Sequence, residues 1–194
     1  MSSIDQIKQL RTETGAGIVD VKAALEEAGG DQEQAKTILR KKGKQLAEKK
    51  ANREVHEGFV GTYVHATGKI GAMVALACET DFVARTEDFK ALANDIAMHV
   101  AALQPAYLAP EDVPAEEIEK EKDIYREQLA KAGKPENMLD KILAGKLEKF
   151  YEQTCLVRQP FVKDDSKTIE ELVTAAVTAM GENIRITSFS YLAL

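Results

Sequence analysis

An α+β fold is what this sequence of 194 residues predicts. Three observations carry it. Up to Gly43 the apolar residues recur only at helical spacing, whereas Phe59 to Cys78 alternates at strand spacing. Helical stripes then resume, and the chain closes on a strand-like run from Asn183 to Leu194. The expected architecture is an N-terminal three-helix module, a small antiparallel sheet packed with helices, and a projecting helical hairpin.

Ser3 with Gln6 reads as a capping box for a first helix carrying Ile4, Ile7 and Leu10. Thr14-Gly15-Ala16-Gly17 breaks it. Ile18, Val21, Leu25 and Ala28 mark a second helix, which Gly29-Gly30 ends. Asp31 with Gln34 opens a third, with Ala35, Ile38 and Leu39 and a stop at Gly43. Helices of about ten residues are marginal singly, so these pack on one another. The module spans 1–45. Residues 46–54 read as a polar linker, within a stretch from Lys36 to Arg53 that holds eight basic residues and one acid, Glu48. A nucleic-acid patch is the sharper alternative there, but no aromatic is interleaved to stack on bases.

The core domain, 55–194, opens with a hairpin turning at Ala66-Thr67-Gly68-Lys69. In its second strand Val74, Leu76 and Cys78 face one way and Met73, Ala75 and Ala77 the other. The small residues of the second face predict close approach by a helix. From near Glu87, Phe89, Leu92, Ala93, Ile96, Ala97, Val100 and Leu103 fall on one stripe, the clearest core helix in the chain. Pro114 starts the first arm of a hairpin spanning about 114–153, with Ile118, Tyr125 and Leu129 on its apolar side. Gly133-Lys134-Pro135 turns, and Met138, Leu139, Ile142, Leu143 and Phe150 form the returning arm. Cys155-Leu156-Val157 reads as a short extended piece. A helix from Thr168 carries Leu172, Val173, Ala176, Val177 and Met180 to a cap at Gly181. In the final strand Ile184 and Ile186 share a face opposite to Phe189 and Tyr191, so a bulge near Thr187 or Ser188 is expected, or else both faces are covered, as by a second subunit.

Charge and motif content narrow the function. The net charge of −6 is unevenly spread. Residues 1–54 carry 11 Lys/Arg against 9 Asp/Glu, or +2, and the remainder 15 against 23, or −8. An acidic body disfavours nonspecific nucleic-acid binding and favours protein partners. No apolar run approaches the roughly 18 residues of a membrane span, no secretory signal precedes the module, and Cys78 and Cys155 form no C-x-x-C pair. A reduced, cytoplasmic protein is expected. His56, His65 and His99 are singletons, and His65 and His99 read as partly exposed or hydrogen-bonded structural residues; both cysteines read as packed thiols. There is no phosphate-binding glycine loop and no nucleophile motif. Neither enzyme, metal nor cofactor is expected.

One stretch resists a purely structural reading. Cys78-Glu79-Thr80-Asp81-Phe82-Val83-Ala84-Arg85 joins strand to helix, where a simple turn favours Gly, Pro, Asn or Ser. Phe82 either tucks back as the helix's first core residue or projects from a loop, where binding residues concentrate. The residues alone leave this open.

Two stretches carry a resemblance. Leu10-Arg11-Thr12-Glu13-Thr14-Gly15-Ala16-Gly17-Ile18-Val19-Asp20-Val21-Lys22-Ala23-Ala24-Leu25 resembles the N-terminal signature of the translation elongation factor Ts family. Glu79-Thr80-Asp81-Phe82-Val83-Ala84-Arg85 resembles its second signature, and Gly181-Glu182-Asn183-Ile184 its approach to a late strand. The family usually has an acid, an apolar residue and Asn where this chain has Ala75, Leu76 and Ala77. The resemblance implies exchange of GDP for GTP on elongation factor Tu. It implies that the module, similar to ubiquitin-associated domains, docks on Tu through Leu10, Arg11, Thr14, Gly15, Gly17 and Lys22. It implies that Thr80, Asp81, Phe82 and Val83 disturb the magnesium and phosphate site of Tu. Phe82 would enter between partner side chains, Asp81 would make a polar contact, and Thr80 and Val83 would fix the loop. Short members resemble this chain and act as homodimers. The alternative is a ubiquitin-like or nascent-chain binding module on a dimeric scaffold, which leaves the Thr80-Asp81-Phe82-Val83-Ala84 stretch unexplained.

Overall fold

The computed structural model describes residues 4–131 and 136–194, with side chains except at 130, 131 and 136–138. Ser3 of the expected capping box, the turn at Gly133-Lys134-Pro135 and the Met138 side chain lie outside the described residues. The fold is α+β. Helices α1 (Ile4–Thr14), α2 (Ile18–Glu27) and α3 (Gln32–Lys50) form the N-terminal module. Leu10, Val21, Ala24, Leu25, Ala35 and Leu39 make its core. Gly15, at φ +68°, lets the chain leave α1 in the left-handed region that a side chain would strain. The Asp31 carboxylate caps α3, accepting from the Glu33 and Gln34 N–H groups at 2.9 and 3.0 Å. Ile18 departs from the expected core stripe: it sits exposed at the first turn of α2.

A second departure is larger. Helix α3 does not stop at Gly43 but runs on to Lys50. Gly43 is buried, and a Cβ there would come within 3.1 Å of Thr178 Oγ1 on a later helix. The glycine therefore marks close packing, which offsets its poor helix propensity. The basic residues are spread around a continuous helix whose inner side carries Ala47 and Lys50 against the core.

Strands β1 (Glu57–Val64) and β2 (Ile70–Cys78) pair antiparallel, then α4 (Asp81–Ala84) and α5 (Glu87–Leu103) follow. Helices α6 (Ala115–Lys131) and α7 (Glu136–Thr154) form the hairpin. Cys155 bridges to Tyr107, and Leu156–Arg158 then makes a 3-10 turn where an extended piece was expected. The small hairpin of β3 (Pro160–Phe161) and β4 (Asp164–Thr168) gives no alternating signal in sequence, being short and polar. Helix α8 (Ile169–Met180) has a reciprocal capping box between Thr168 and Glu171, and Gly181 ends it at φ +77°. Strand β5 (Arg185–Ala193) completes a sheet of order β1-β2-β5. Its register against β2 shifts between Ser188, opposite Ala75, and Ile186, opposite Leu76. Thr187 is thus the extra residue, where the change of phase places a bulge, and its hydroxyl donates to the Ala75 carbonyl at 3.2 Å.

The main core lies between this sheet, α5 and α8, with Val74, Leu76, Phe89, Ile96, Leu156 and Ile169 fully enclosed. Helix α5 covers the Val74–Leu76–Cys78 face, not the small-residue face of β2 as expected. Close approach is made through β1 instead: a Cβ on Gly61 would lie 2.3 Å from the Ala93 carbonyl carbon. Met73 is exposed, and Ala75 and Ala77 are half-buried on the opposite, uncovered side. His99 is buried in α5. Its Nδ1 accepts from the Val162 N–H at 3.2 Å and its Nε2 lies 3.0 Å from Gln159 Oε1, and burial lowers its pKa, as suits a neutral structural imidazole. Cys78 and Cys155 are buried, and burial pushes the Cys78 thiol up to about 11. Among the described residues no helix is long and apolar enough to cross a membrane.

The Gly61 contact yields a direct test. Gly61→Ala must displace α5 from the sheet, so it should destabilise the core by about 1–3 kcal/mol or more, read as a lower denaturant midpoint at unchanged slope. A midpoint equal to wild type would mean that helix and strand are not in this contact.

Candidate partner-binding site at the end of β2

Strand β2 ends with Cys78 turned inward, its thiol donating to the Thr80 carbonyl at 3.2 Å. Thr80 is extended, and its Oγ1 accepts from the Val83 N–H at 3.4 Å, capping the single turn α4. Thr86 performs the same service for α5, accepting from the Phe89 N–H at 3.3 Å. Two capped helices therefore follow each other almost without a linker. The geometry splits the apolar pair between them: Val83 packs against the core and Phe82 points out, 80% exposed. Phe89, not Phe82, is the first core residue of α5. The choice left open by the residues falls to the projecting aromatic.

Beside Phe82, Asp81 pairs with Arg85 Nη2 at 2.9 Å on an exposed surface, an arrangement that contributes little to stability. Stronger restraints come from the turn after α8. The Glu182 carboxylate accepts from the N–H groups of Glu79 (3.1 Å) and Thr80 (3.0 Å) and from the Thr80 hydroxyl (2.6 Å). The Asn183 N–H donates to Glu79 Oε1 at 2.6 Å, and its side-chain amide donates to the carbonyls of Ala51 (3.3 Å) and Arg53 (2.8 Å). Lys50 donates to the Gly181 carbonyl, and Arg53 Nη1 lies 3.4 Å from the Glu79 carboxylate. The Asn183 N–H, with Arg53 in support, holds the Glu79 carboxyl below the usual carboxylate range. The ends of α3, β2 and α8 thus meet at one polar node, and Phe82 projects from the turn attached to it.

The expected docking residues lie on the module and differ in exposure. Leu10 is wholly buried, so it holds the module together rather than meeting a partner. Thr14 is half-buried, its hydroxyl donating to the Leu10 carbonyl at 2.5 Å. Arg11, Gly15, Gly17 and Lys22 are exposed. A Cβ on Gly15 would lie 3.5 Å from that of Ala179, so the α1–α2 loop also rests on α8. The module is tied to the body again by Arg40 with Glu171 at 3.5 Å and by Lys167 donating to the Glu13 carbonyl at 3.3 Å. Val19, 79% exposed beside exposed Ile18, was not among the expected residues. Its signal was two adjacent apolar residues where an amphipathic helix buries only one. Glu182 and Asn183 carry no functional signal in the sequence beyond their resemblance to the family's approach to a late strand. Among the described residues no group of three or more His, Cys, Asp or Glu could hold a metal ion.

Residues 5–194 match the family model described as Elongation factor TS. The chain belongs to the elongation factor Ts family. It is 53% identical over 189 residues to elongation factor Ts of Thermosipho melanesiensis, covering 97% of this chain and 96% of that one. Identity to elongation factor Ts of Thermotoga maritima is 55% over 188 residues, covering 97% and 94%. For elongation factor Ts of Geobacter sulfurreducens it is 50% over 185 residues, covering 95% and 86%. A member of the elongation factor Ts family is a translation elongation factor. The stretch that resembles the family's second signature, Glu79 to Arg85, forms the outward turn carrying Phe82.

The lowered pKa of Glu79 fixes the sign of a pH effect. A carboxyl depressed on folding contributes stability above its unfolded pKa of about 4.3, and that contribution is lost as pH falls through the folded value. Glu79→Gln should therefore be less stable than the parent at pH 7 and should lose less on acidification, measured as unfolding midpoints between neutrality and the acid limb. Parallel profiles would show that the carboxylate contributes nothing through the node.

Proposed function

We propose that this chain binds elongation factor Tu carrying GDP and promotes GDP release, so that GTP can take its place. The N-terminal module docks, and Phe82 acts as a wedge against the segments that organise the magnesium ion and phosphates. The observation that carries this is the exposure of Phe82 on a one-turn helix capped by Thr80 and flanked by a second capped helix. A large apolar side chain held out in water contributes nothing to this fold, and it is already oriented for burial elsewhere. Magnesium demands near-ideal octahedral geometry, so a small displacement of its ligands weakens its hold.

Burying one Phe is worth roughly 1.5–3 kcal/mol, and each 1.4 kcal/mol is tenfold in affinity. The wedge thus accounts for roughly 10- to 100-fold weakening of nucleotide binding, and any larger effect falls to the rest of the interface. On this reading the chain performs no bond chemistry. It works in the cytoplasm, with no direct contact to nucleic acid. Docking draws on Arg11, Thr14, Gly15, Gly17 and Lys22, with Leu10 holding the module's shape, and on Ile18 and Val19, whose exposure fits them for an apolar contact.

The same reading includes a homodimer, as the short members this chain resembles form. Its support is the uncovered sheet face, where Val60, Val64, Met73 and Leu192 are exposed and a hollow of about 220 Å³ is lined by Gly58, Val60, Ala75 and Ala77 among others. A second copy laid on that face would cover apolar surface that α5 leaves to water.

Three measurements test the reading. Phe82→Ala should fold normally and slow release of a fluorescent GDP from Tu by roughly tenfold or more; an unchanged rate would sink the wedge. Val19→Asp should raise the concentration needed for half-maximal exchange while leaving the maximal rate near that of wild type. For assembly, the molar mass in solution should correspond to two chains, and Met73→Asp should shift it towards one. A parent protein that remains a monomer at micromolar concentration would remove the dimer from the mechanism.

A further inference from the structure

The direction of Phe82 has to be imposed from outside its own turn. A helix of four residues cannot hold itself, since nucleation costs more than so few hydrogen bonds return. Phe82 makes no anchoring contact of its own, being largely in water, and Asp81–Arg85 is an exposed pair. What remains is the seat of Val83 and Ala84 on the core, the Thr86 hydroxyl donating to the Val83 carbonyl at 2.8 Å, and the cap at Thr80 with whatever holds Thr80.

We propose that Glu182 is the positioning residue of the wedge: its carboxylate fixes the start of α4, and Asn183 beside it registers that turn on the exit of α3, so that Phe82 points in one direction relative to the docking module. This rests on the reading of Phe82 as the wedge. The Thr80 hydroxyl donates to Glu182 Oε1 at 2.6 Å, while Thr80 Oγ1 itself accepts from the Val83 N–H at 3.4 Å. Glu182 therefore sets the rotamer of the residue that caps α4. Its other oxygen receives two successive backbone N–H groups, of Glu79 and Thr80, which fixes the peptide plane from which the turn departs. Hydrogen bonds to an ionised carboxylate are roughly twice as strong as neutral ones.

The neighbouring residue extends the hold to the module. Asn183 spans the Glu79 carboxylate on one side and the carbonyls of Ala51 and Arg53, just past α3, on the other. Docking of α1–α3 and placement of Phe82 are thereby referred to one turn. A wedge must arrive at a fixed offset from the docked surface, and misplacement of about 1 Å at a distance from the reacting centre can cost on the order of 100-fold.

The test follows exchange of fluorescent GDP on Tu against concentration of the full-length chain. Glu182→Ala should lower the maximal exchange rate about tenfold, from the loss of charge-assisted hydrogen bonds, with the half-saturating concentration essentially unchanged. Glu182→Gln keeps an acceptor for the two N–H groups and should recover part of the rate. Thr80→Val should lose rate as Glu182→Ala does, and the double variant should lose no more than either single one. A wild-type maximal rate in Glu182→Ala, a loss seen only in half-saturation, or additive losses in the double variant would each overturn the assignment. Should Glu182→Ala fail to fold, Glu182→Gln and Thr80→Val decide: Thr80→Val should lose maximal rate at unchanged half-saturation and Glu182→Gln should keep more of it, whereas a wild-type maximal rate in Thr80→Val would overturn the assignment. Phe82→Ala in parallel separates the two readings. If it is slow and Glu182→Ala normal, only the positioning role fails; if Phe82→Ala is itself normal, the wedge fails and this inference with it.

Discussion

Helix α5 and strand β1 approach so closely at Ala93 and Gly61 that a single added carbon would lie 2.3 Å from the helix backbone. Because the helix lies this near, the inner residues of β2 are sealed down to Cys78, and the strand cannot slide without exposing Val74 and Leu76. The strand therefore ends at one point in space, and Thr80 begins its turn there. From the other side α8 packs on the same core and delivers Gly181, Glu182 and Asn183 to that end. Presentation of Phe82 is thus a consequence of core packing, and the Glu182 carboxylate bonds the start of the turn that carries it.

Much of this was legible in the sequence, for definite reasons. The stripe of α5 and the alternation of β2 are signals of burial, and burial occurs where they predict it except at Leu103, the last residue of α5, which is 42% exposed. The opposed phases of Ile186 and Phe189 call for a bulge near Thr187 or Ser188 or for cover on both faces, and the structure has the bulge, at Thr187, which keeps both residues inside. Errors arose where one residue type serves two ends. Gly43 reads as a stop but is a contact with Thr178, and Ala75 and Ala77 read as a helix seat although the seat is Gly61. Ile18 continues the periodicity of α2 yet stands at its first turn, beyond the reach of the module's core.

The site was legible only in part. That Thr80 to Val83 is no ordinary turn follows from its residue types, but whether Phe82 faces in or out depends on which helix claims Phe89, and local sequence does not contain that. Glu182, which bonds the start of the turn, lies over a hundred residues from Thr80 along the chain. No local rule pairs a carboxylate after one helix with the cap of another. Such a link becomes visible only once β2 and β5 are known to be neighbours in the sheet.

A rigid wedge has an energetic advantage over a flexible one. Ordering a rotamer-rich side chain or loop on binding costs roughly 0.5–1.5 kcal/mol for each group immobilised, comparable with what burying Phe82 returns. Holding α4 in place before the encounter removes most of that cost, so more of the burial energy is left to act on the partner. Linkage then limits what the wedge can do: if the chain weakens nucleotide binding by some factor, bound nucleotide weakens binding of the chain by the same factor. An exchange factor built this way gains nothing from unlimited affinity, because a partner it never releases cannot be recharged. On the proposed reading, a single aromatic on a one-turn helix is worth one or two powers of ten, which would keep the two affinities close enough for either to displace the other.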